Sequence, residues 1–140
     1  MSLLLCACKS DVTTVVKRKE SMFSKPGILL RIEGAFVLAM SVFFYRSGGA
    51  RWSFFFLFFL WPDLSMVGYL ASAQLGSRLY NSVHAYIFPL ALAGVASSQH
   101  RSALCSCALI WLAHIGFDRA LGYGLKYPTF FKDTHLQRVS

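Results

Sequence analysis

Charged residues are scarce in this chain. Only 14% of its 140 residues are Asp, Glu, Lys or Arg, whereas 56% are hydrophobic, and the mean hydropathy is +0.51. Soluble domains usually carry about 25% charged residues, so this composition argues against an ordinary soluble protein and favours a membrane protein. The 13 phenylalanines suit side chains that contact lipid. The length corresponds to a single domain.

Several motifs of soluble enzymes and of nucleic-acid-binding proteins are also absent. The chain has no phosphate-binding loop, no Ser-His-Asp order and no internal repeat. Its cysteines form the pairs Cys6/Cys8 and Cys105/Cys107, and neither pair has the Cys-x-x-Cys spacing of a zinc or redox site. The net charge of +8 does not indicate a nucleic-acid partner, because the basic residues lie at segment ends and form no stripe with interleaved aromatics.

Four apolar stretches are long enough, or nearly long enough, to cross a bilayer, which requires roughly 20 helical residues. They cover approximately residues 28–45, 52–70, 79–96 and 103–121. The connections are short, and short loops make consecutive helices antiparallel neighbours. We predict an all-α fold: a four-helix transmembrane bundle at residues 28–121, between a basic N-terminal leader (1–27) and an interfacial C-terminal segment (122–140).

The basic residues predict the orientation of this bundle, since the cytoplasmic loops of membrane proteins carry an excess of Lys and Arg. With the N-terminus on the cytoplasmic side, all but three of the 14 Lys and Arg residues lie on that side. The exceptions are Arg46, Arg51 and Arg101. Both termini are therefore predicted to face the cytoplasm or the mitochondrial matrix, in a bacterial inner membrane or a mitochondrial inner membrane.

Five ionisable side chains interrupt the apolar stretches at a similar depth. Counted from the predicted cytoplasmic ends at about 1.5 Å per helical residue, they occupy a layer roughly 4 to 12 Å deep. They are Glu33, Asp63, His84, His114 and Asp118. Ionisable groups are costly inside a membrane, so they usually face the protein interior and often mark a functional site. We therefore predict one shared polar site.

Local spacing supports this prediction. His114 and Asp118 are four residues apart, and Asn81 and His84 are three apart, so each pair shares one helix face. The Trp-Pro-Asp63 sequence predicts a kink in the second helix, because proline removes a backbone donor and clashes with the preceding turn.

Three interpretations of the polar layer remain open. A zinc, iron or manganese ion could be bound by imidazole and carboxylate ligands from several helices. A proton or ion relay would use the same residues without a metal. A hydrogen-bonded network, with Arg31 or Arg119 as counter-ion, would only hold the helices together. The predicted metal ligands are His84, His114, Asp63, Asp118 and Glu33, and the predicted supporting residues are Asn81, Arg119, Asp133 and His135.

The C-terminal segment cannot continue as a regular helix, because it contains Gly122, Gly124 and Pro128. Its Tyr and Phe residues favour a position along the inner membrane surface, over the polar layer. Asp133 and His135 could then contribute extra ligands or a lid. A plain interfacial tail is the alternative.

Four longer motifs carry a family resemblance. They are Trp61-Pro-Asp-Leu-Ser-Met-Val-Gly-Tyr, Tyr80-Asn-Ser-Val-His, Trp111-Leu-Ala-His-Ile-Gly-Phe-Asp-Arg and Leu121-Gly-Tyr-Gly-Leu-Lys-Tyr-Pro-Thr-Phe-Phe-Lys-Asp-Thr-His-Leu. Over approximately residues 29–138 the chain resembles a family of small bacterial integral-membrane proteins known as domain of unknown function 4260. The resemblance implies a four-helix membrane protein whose recurrent motifs include the polar positions above. It implies no activity, substrate or cofactor.

Two classes of function remain open. An enzyme would use bound zinc or iron to activate water or dioxygen on a lipid-soluble substrate. A non-catalytic accessory subunit of a larger membrane-protein complex would instead use its aromatic second helix, at residues 52–61, to pack against partner subunits or membrane lipids.

Overall fold

A computed structural model describes residues 26–129 and 133–138 of the chain. Helix α1 spans Pro26–Ser47, and α2 spans Trp52–Phe59 and is followed by a 3-10 helix at Trp61–Leu70. The remaining helices are α3 at Ala73–Val83, α4 at Ile87–Ser98, α5 at Ser102–Leu121 and the short α6 at His135–Arg138. Residues 1–25 of the predicted leader, including Cys6 and Cys8, lie outside the described residues.

Four helical stretches are long and apolar enough to cross a membrane: Pro26–Ser47, Trp52–Leu70, Ala73–Ser98 and Ser102–Leu121. The prediction of an all-α, four-span membrane protein is therefore confirmed. No strand occurs within residues 26–129 and 133–138, where Lys126 and Thr134 form an isolated bridge. The third stretch begins at Ala73, earlier than predicted, because the polar residues of α3 lower its hydropathy without preventing helix formation.

Helices α1 and α5 cross in direct backbone contact. A Cβ atom at Gly116 would lie 2.7 Å from the backbone nitrogen of Leu38 and 2.8 Å from the carbonyl oxygen of Gly34. Membrane helices associate mainly through close packing, and small residues allow their backbones to approach. This contact fixes the position of α5 against α1 only two residues after His114.

The 3-10 helix and α3 form a second close pair. The hydroxyl of Ser72 accepts a hydrogen bond from the amide of Leu75 at 3.1 Å, which is the usual N-cap of a helix and starts α3 after a very short connection. Gly76 accommodates the ring of Tyr69, because a Cβ at Gly76 would lie 2.3 Å from Cγ of that ring. The resulting helical hairpin brings the start of the 3-10 helix, with Asp63, beside the end of α3.

Two of the four spans are interrupted at the level of the polar residues. The second changes from α-helix to 3-10 helix at Leu60, next to Pro62, where the sequence predicted a kink. The third leaves helical geometry at residues 84–86 and restarts as α4. Pro89 lies in the first turn of α4, where its missing N–H would have no helical partner. Irregular backbone within a membrane is tolerated where it is buried in protein or lines a cavity.

Candidate metal centre

Four side chains from three segments converge between the broken spans. Asp63 lies in the first turn of the 3-10 helix, His84 ends α3, and His114 and Asp118 lie one turn apart on α5. Each offers one ligand atom, and these atoms all lie within 4.8 Å of one another. We refer to these four residues as the His/Asp cluster. All four were predicted from the sequence to share one site.

The ligand atoms of the His/Asp cluster are arranged compactly around a common centre. Nε2 of His84 lies 3.2 Å from Nε2 of His114, 3.7 Å from Oδ1 of Asp63 and 3.5 Å from Oδ2 of Asp118. Nε2 of His114 lies 3.4 Å from the same Asp63 oxygen and 3.8 Å from the same Asp118 oxygen. In a tetrahedral zinc site with bonds of about 2.0–2.1 Å, neighbouring ligand atoms lie about 3.3–3.4 Å apart. The five separations that involve a histidine nitrogen are close to those of such a site, and the two carboxylate oxygens lie within 4.8 Å of each other.

Burial differs across the cluster. The side chains of His84 and His114 are only 3% and 2% exposed, whereas that of Asp118 is 15% and that of Asp63 is 35% exposed. Asp63 therefore forms the open edge of an otherwise enclosed site. Catalytic metal sites keep one position accessible to water or substrate, whereas structural sites are closed by protein ligands.

Tyr80 orients two members of the cluster. Nδ1 of His84 lies 3.0 Å from the carbonyl oxygen of Tyr80. Because a carbonyl only accepts, Nδ1 carries the proton and the lone pair of Nε2 faces the cluster. The Tyr80 hydroxyl donates to Oδ2 of Asp118 at 3.0 Å, and its ring stacks on His84 with the centroids 3.7 Å apart. Outer contacts of this kind orient and tune the ligands of protein-bound metals.

Two buried polar atoms of the cluster, Oδ1 of Asp63 and Nδ1 of His114, have no hydrogen-bond partner among the described residues. Buried polar atoms are normally hydrogen-bonded, so each exception requires an explanation. The Asp63 oxygen lies 3.7 Å from Nε2 of His84 and 3.4 Å from Nε2 of His114. A cation at the centre of the cluster would satisfy it.

The two carboxylates bring negative charge into membrane-spanning segments. Their oxygens lie within 4 Å of the two histidine Nε2 atoms, and within the described residues neither Arg31 nor Arg119 forms an ion pair with Asp63 or Asp118. The guanidinium of Arg119 instead lies over the ring of Tyr86, at 5.2 Å. This arrangement disfavours an arginine counter-ion, which was part of one of the three open interpretations, and a divalent cation would balance both carboxylates.

Lys126 approaches the cluster from the C-terminal segment. Its ammonium nitrogen lies 4.3 Å from the ring centroid of Tyr80 and 5.2 Å from that of Tyr69, and the residue is only 5% exposed. Burial lowers the pKa of Lys126, and the negative charges of Asp118 and Asp63 oppose this change. A partly desolvated cation therefore lies close to the two carboxylates.

The C-terminal segment folds back on α3 and is held there by Asn81. The amide of this side chain donates to the carbonyl oxygen of Lys126 at 2.8 Å and accepts from the backbone N–H of Lys126 at 2.7 Å. Within the segment, the amide of His135 donates to the carbonyl of Leu125 at 3.0 Å, and Lys126 pairs with Thr134. Asn81 thus acts as the anchor of the segment.

The remaining predicted site residues lie outside the His/Asp cluster. Asp133 and His135 form hydrogen bonds within the C-terminal segment. The Asp133 carbonyl accepts from the backbone N–H of Tyr127, and Nδ1 of His135 accepts from the backbone N–H of Leu125. Burial and the charge of Arg119 lower the pKa of His135. Glu33 is exposed, because Gly34 rather than Glu33 faces α5.

Two residues of the site, Tyr80 and Lys126, were not predicted. Tyr80 precedes His84 by four residues and therefore shares its helix face, which is a signal that the sequence does contain. Lys126 reaches the site through the folding of an irregular segment and has no comparable local signal.

Replacing Asn81 with alanine is expected to loosen the C-terminal segment. Two hydrogen bonds to backbone groups would be lost, at a cost of about 1–3 kcal/mol, and cleavage at Lys126 in limited tryptic digestion should accelerate about tenfold or more. Ser82→Ala is the control, because the Ser82 hydroxyl is exposed and bonds only to its own helix. Equal cleavage rates in the two variants would show that Asn81 is not the anchor.

A family model described as Domain of unknown function (DUF4260) matches residues 27–139. The match includes the whole His/Asp cluster and nearly all of the C-terminal segment. No curated protein and no solved structure matches the chain. The family description names no activity.

Proposed function

We propose that this chain, which belongs to the DUF4260 family, is a membrane metalloprotein. One divalent transition-metal ion would be held by Nε2 of His84, Nε2 of His114 and one carboxylate oxygen each of Asp63 and Asp118. The observation that carries the proposal is the convergence of these four atoms: the five separations that involve a histidine nitrogen are 3.2 to 3.8 Å, close to those of a tetrahedral metal site, and all four atoms lie within 4.8 Å of one another.

The donor set narrows the choice of metal. Zinc accepts nitrogen and oxygen ligands in tetrahedral geometry, so all four cluster residues would serve as ligands. Two histidines and one carboxylate with open positions are instead typical of non-haem iron sites. In that case His84, His114 and Asp118 would form the triad, and the more exposed Asp63 would leave room for water or substrate. Zinc is the first choice because it can use every member of the cluster, and water or a substrate group would bind in place of the more exposed Asp63.

A metal ion in this position would supply Lewis acidity, activating a water molecule or polarising a carbonyl group. The protein's own residues contribute the rest of the site. Tyr80 keeps the Nε2 lone pair of His84 directed into the cluster and holds Asp118 in place. Lys126 places positive charge beside the site, which suits an anionic substrate group. Chemistry on a lipid-soluble substrate is the class of reaction that this membrane position favours.

Elemental analysis of the wild-type protein, purified in mild detergent, tests the proposal. We expect about one zinc, iron or manganese ion per chain, because a site of this kind retains its metal through purification. A folded protein that contains no metal and binds none on addition would overturn the proposal. It would leave the proton relay or the structural network as the role of the cluster.

A second candidate function is that of an accessory subunit in a membrane-protein complex. It is favoured by the exposed apolar face of the second span, where Phe56, Leu57 and Trp61 are 71%, 73% and 63% exposed. Such a face also suits direct contact with lipid. Co-purification with a fixed set of membrane proteins in the absence of metal would favour the subunit.

For the location, we propose a bacterial or mitochondrial inner membrane with both ends of the spanning region on the cytoplasmic or matrix side. Four spans place both ends on one side, and the distribution of Lys and Arg assigns that side. Asp118 lies less than one turn from the end of α5 at Leu121, so the cluster would lie near the same surface.

A further inference from the structure

An apolar cavity of about 310 Å³ lies between the second, third and fourth spans. Its lining includes Trp61, Val83, Cys107, Ile110 and Trp111. Apart from the Cys107 thiol and the Trp indole nitrogens, these side chains carry no polar atom. The volume is at the lower end of the range for small-molecule sites, which is about 300–1,000 Å³.

The cavity continues the metal site towards the middle of the membrane. Cys107, Trp111, His114 and Asp118 follow one another on α5 at spacings of four, three and four residues, so they share one helix face. Cys107 lies seven residues before His114, which corresponds to about 10 Å along the helix. The lining residue Val83 also directly precedes the ligand His84 in the chain. The residues that line the cavity are therefore neighbours of the ligands, along one face of α5 and at the end of α3.

Trp111, on α5, reaches across to α3 and forms one side of the cavity. Its indole N–H donates to the carbonyl oxygen of Val83 at 2.8 Å. That carbonyl belongs to the last turn of α3, where helical carbonyls lack a partner within the helix. The bond therefore leaves this side of the cavity apolar. Trp61, on another side, is 63% exposed, so the cavity opens there to the surroundings of the second span, which are hydrocarbon in a membrane.

We propose that this cavity binds the acyl chain of a fatty acid, whose carboxylate reaches the metal cluster. The proposal rests on the proposed metal site. A fatty acid in a bilayer holds its carboxylate near the surface and its chain towards the centre, which is the order of cluster and cavity along α5. The exposed edge at Trp61 allows lateral entry from the membrane. A carboxylate is a ligand for zinc and iron, and Lys126 adds positive charge beside it.

Photo-crosslinking with a palmitic acid analogue that carries a diazirine in its chain tests this inference. Filling the cavity by Cys107→Phe is expected to reduce labelling of the second and fourth spans about tenfold, because the chain loses its apolar contacts. Cys107→Leu should give an intermediate loss. The control is Cys105→Phe, an equal substitution two residues away on a different face of α5. Metal content is measured on every sample, and retained metal shows that a variant is folded.

The role of the carboxylate is tested with the corresponding diazirine fatty alcohol. We expect the acid to label the wild type about tenfold more strongly than the alcohol, and this preference to vanish in the His84→Ala/His114→Ala variant. Equal labelling of the Cys107→Phe and Cys105→Phe variants would overturn the cavity assignment. Equal labelling of the wild type by acid and alcohol would overturn the contact between carboxylate and metal.

Two different results would contradict the acyl-chain site and the metal site. A metal-loaded wild type whose labelling does not depend on Cys107 contradicts the acyl-chain site alone. A wild type without metal contradicts the proposed function and the carboxylate contact, whatever the cavity binds.

Discussion

Replacing His114 with alanine is expected to remove the bound metal. The variant loses one of four ligands in a site that is otherwise enclosed, and no other described side chain offers a ligand atom within the cluster. Loss of an outer-shell partner alone usually lowers metal affinity 10–100-fold, so loss of a ligand should lower it by more than about 100-fold. Elemental analysis after dialysis against a weak chelator should find about one ion per chain in the wild type and a background level in the variant.

Two further variants separate ligand loss from loss of negative charge. Asp118→Asn and Glu33→Gln each neutralise one carboxylate within a predicted span at almost unchanged size. Asp118 belongs to the cluster, whereas Glu33 is exposed and lies outside it. We therefore expect Asp118→Asn to lose most of its metal and Glu33→Gln to keep it. Equal metal content in these two variants would contradict the assigned ligands, as would a His114→Ala protein that keeps its metal.

The sequence was sufficient to predict the four spans and the convergence of the cluster, for one physical reason. A bilayer penalises ionisable groups so strongly that Asp63, His84, His114 and Asp118 have to face one another. Depth along each helix could be counted, and residues at equal depth on neighbouring helices come together. The same count included Glu33 because depth carries no information about rotation around the helix axis. That rotation is set by the packing of Gly34 against α5.

Other parts of the site depend on contacts that no local pattern reveals. The break in the third span leaves His84 at the end of α3, and it was missed because hydropathy averages across a few irregular residues. Pro89 was the available sign, since proline is tolerated only in the first turn of a helix. The position of Lys126 depends on the hydrogen bonds from Asn81, which is 45 residues away in the chain. Such pairings follow from the tertiary fold and not from periodicity.

The breaks in the second and third spans have a common consequence for the site. A regular helix satisfies all its interior backbone groups and presents each side chain at a fixed angle. Asp63 follows Pro62 in a 3-10 helix, and His84 follows the last turn of α3, so both residues lie where the backbone direction changes. Continuous α5 supplies the other two ligands from one face. The irregular backbone at Asp63 and His84 can thus direct two ligands towards the two that α5 holds in fixed positions, which brings four ligand atoms together in a small bundle.

The rigid helix depends in turn on its contact with α1, and Gly116→Ala is expected to be strongly destabilising for the addition of a single methyl group. The added Cβ would lie 2.7 Å from the backbone nitrogen of Leu38 and 2.8 Å from the carbonyl oxygen of Gly34. Backbone atoms cannot rotate away as a side chain can, so α1 and α5 would have to separate. We expect the free energy of unfolding, measured in mixed micelles, to fall by about 1–3 kcal/mol or more.

Gly94→Ala provides the matched control for this prediction. Like Gly116, Gly94 lies within a helix, here α4 of the third span. No atom is within 4 Å of the position that its Cβ would take. Its replacement should change the free energy of unfolding by no more than about 0.5 kcal/mol. Because Gly116 lies two residues after His114, separation of α1 and α5 should also shift a ligand, and the Gly116→Ala variant should bind metal more weakly than the Gly94→Ala variant. Equal stability of the two proteins would show that the backbone contact between α1 and α5 does not hold the bundle together.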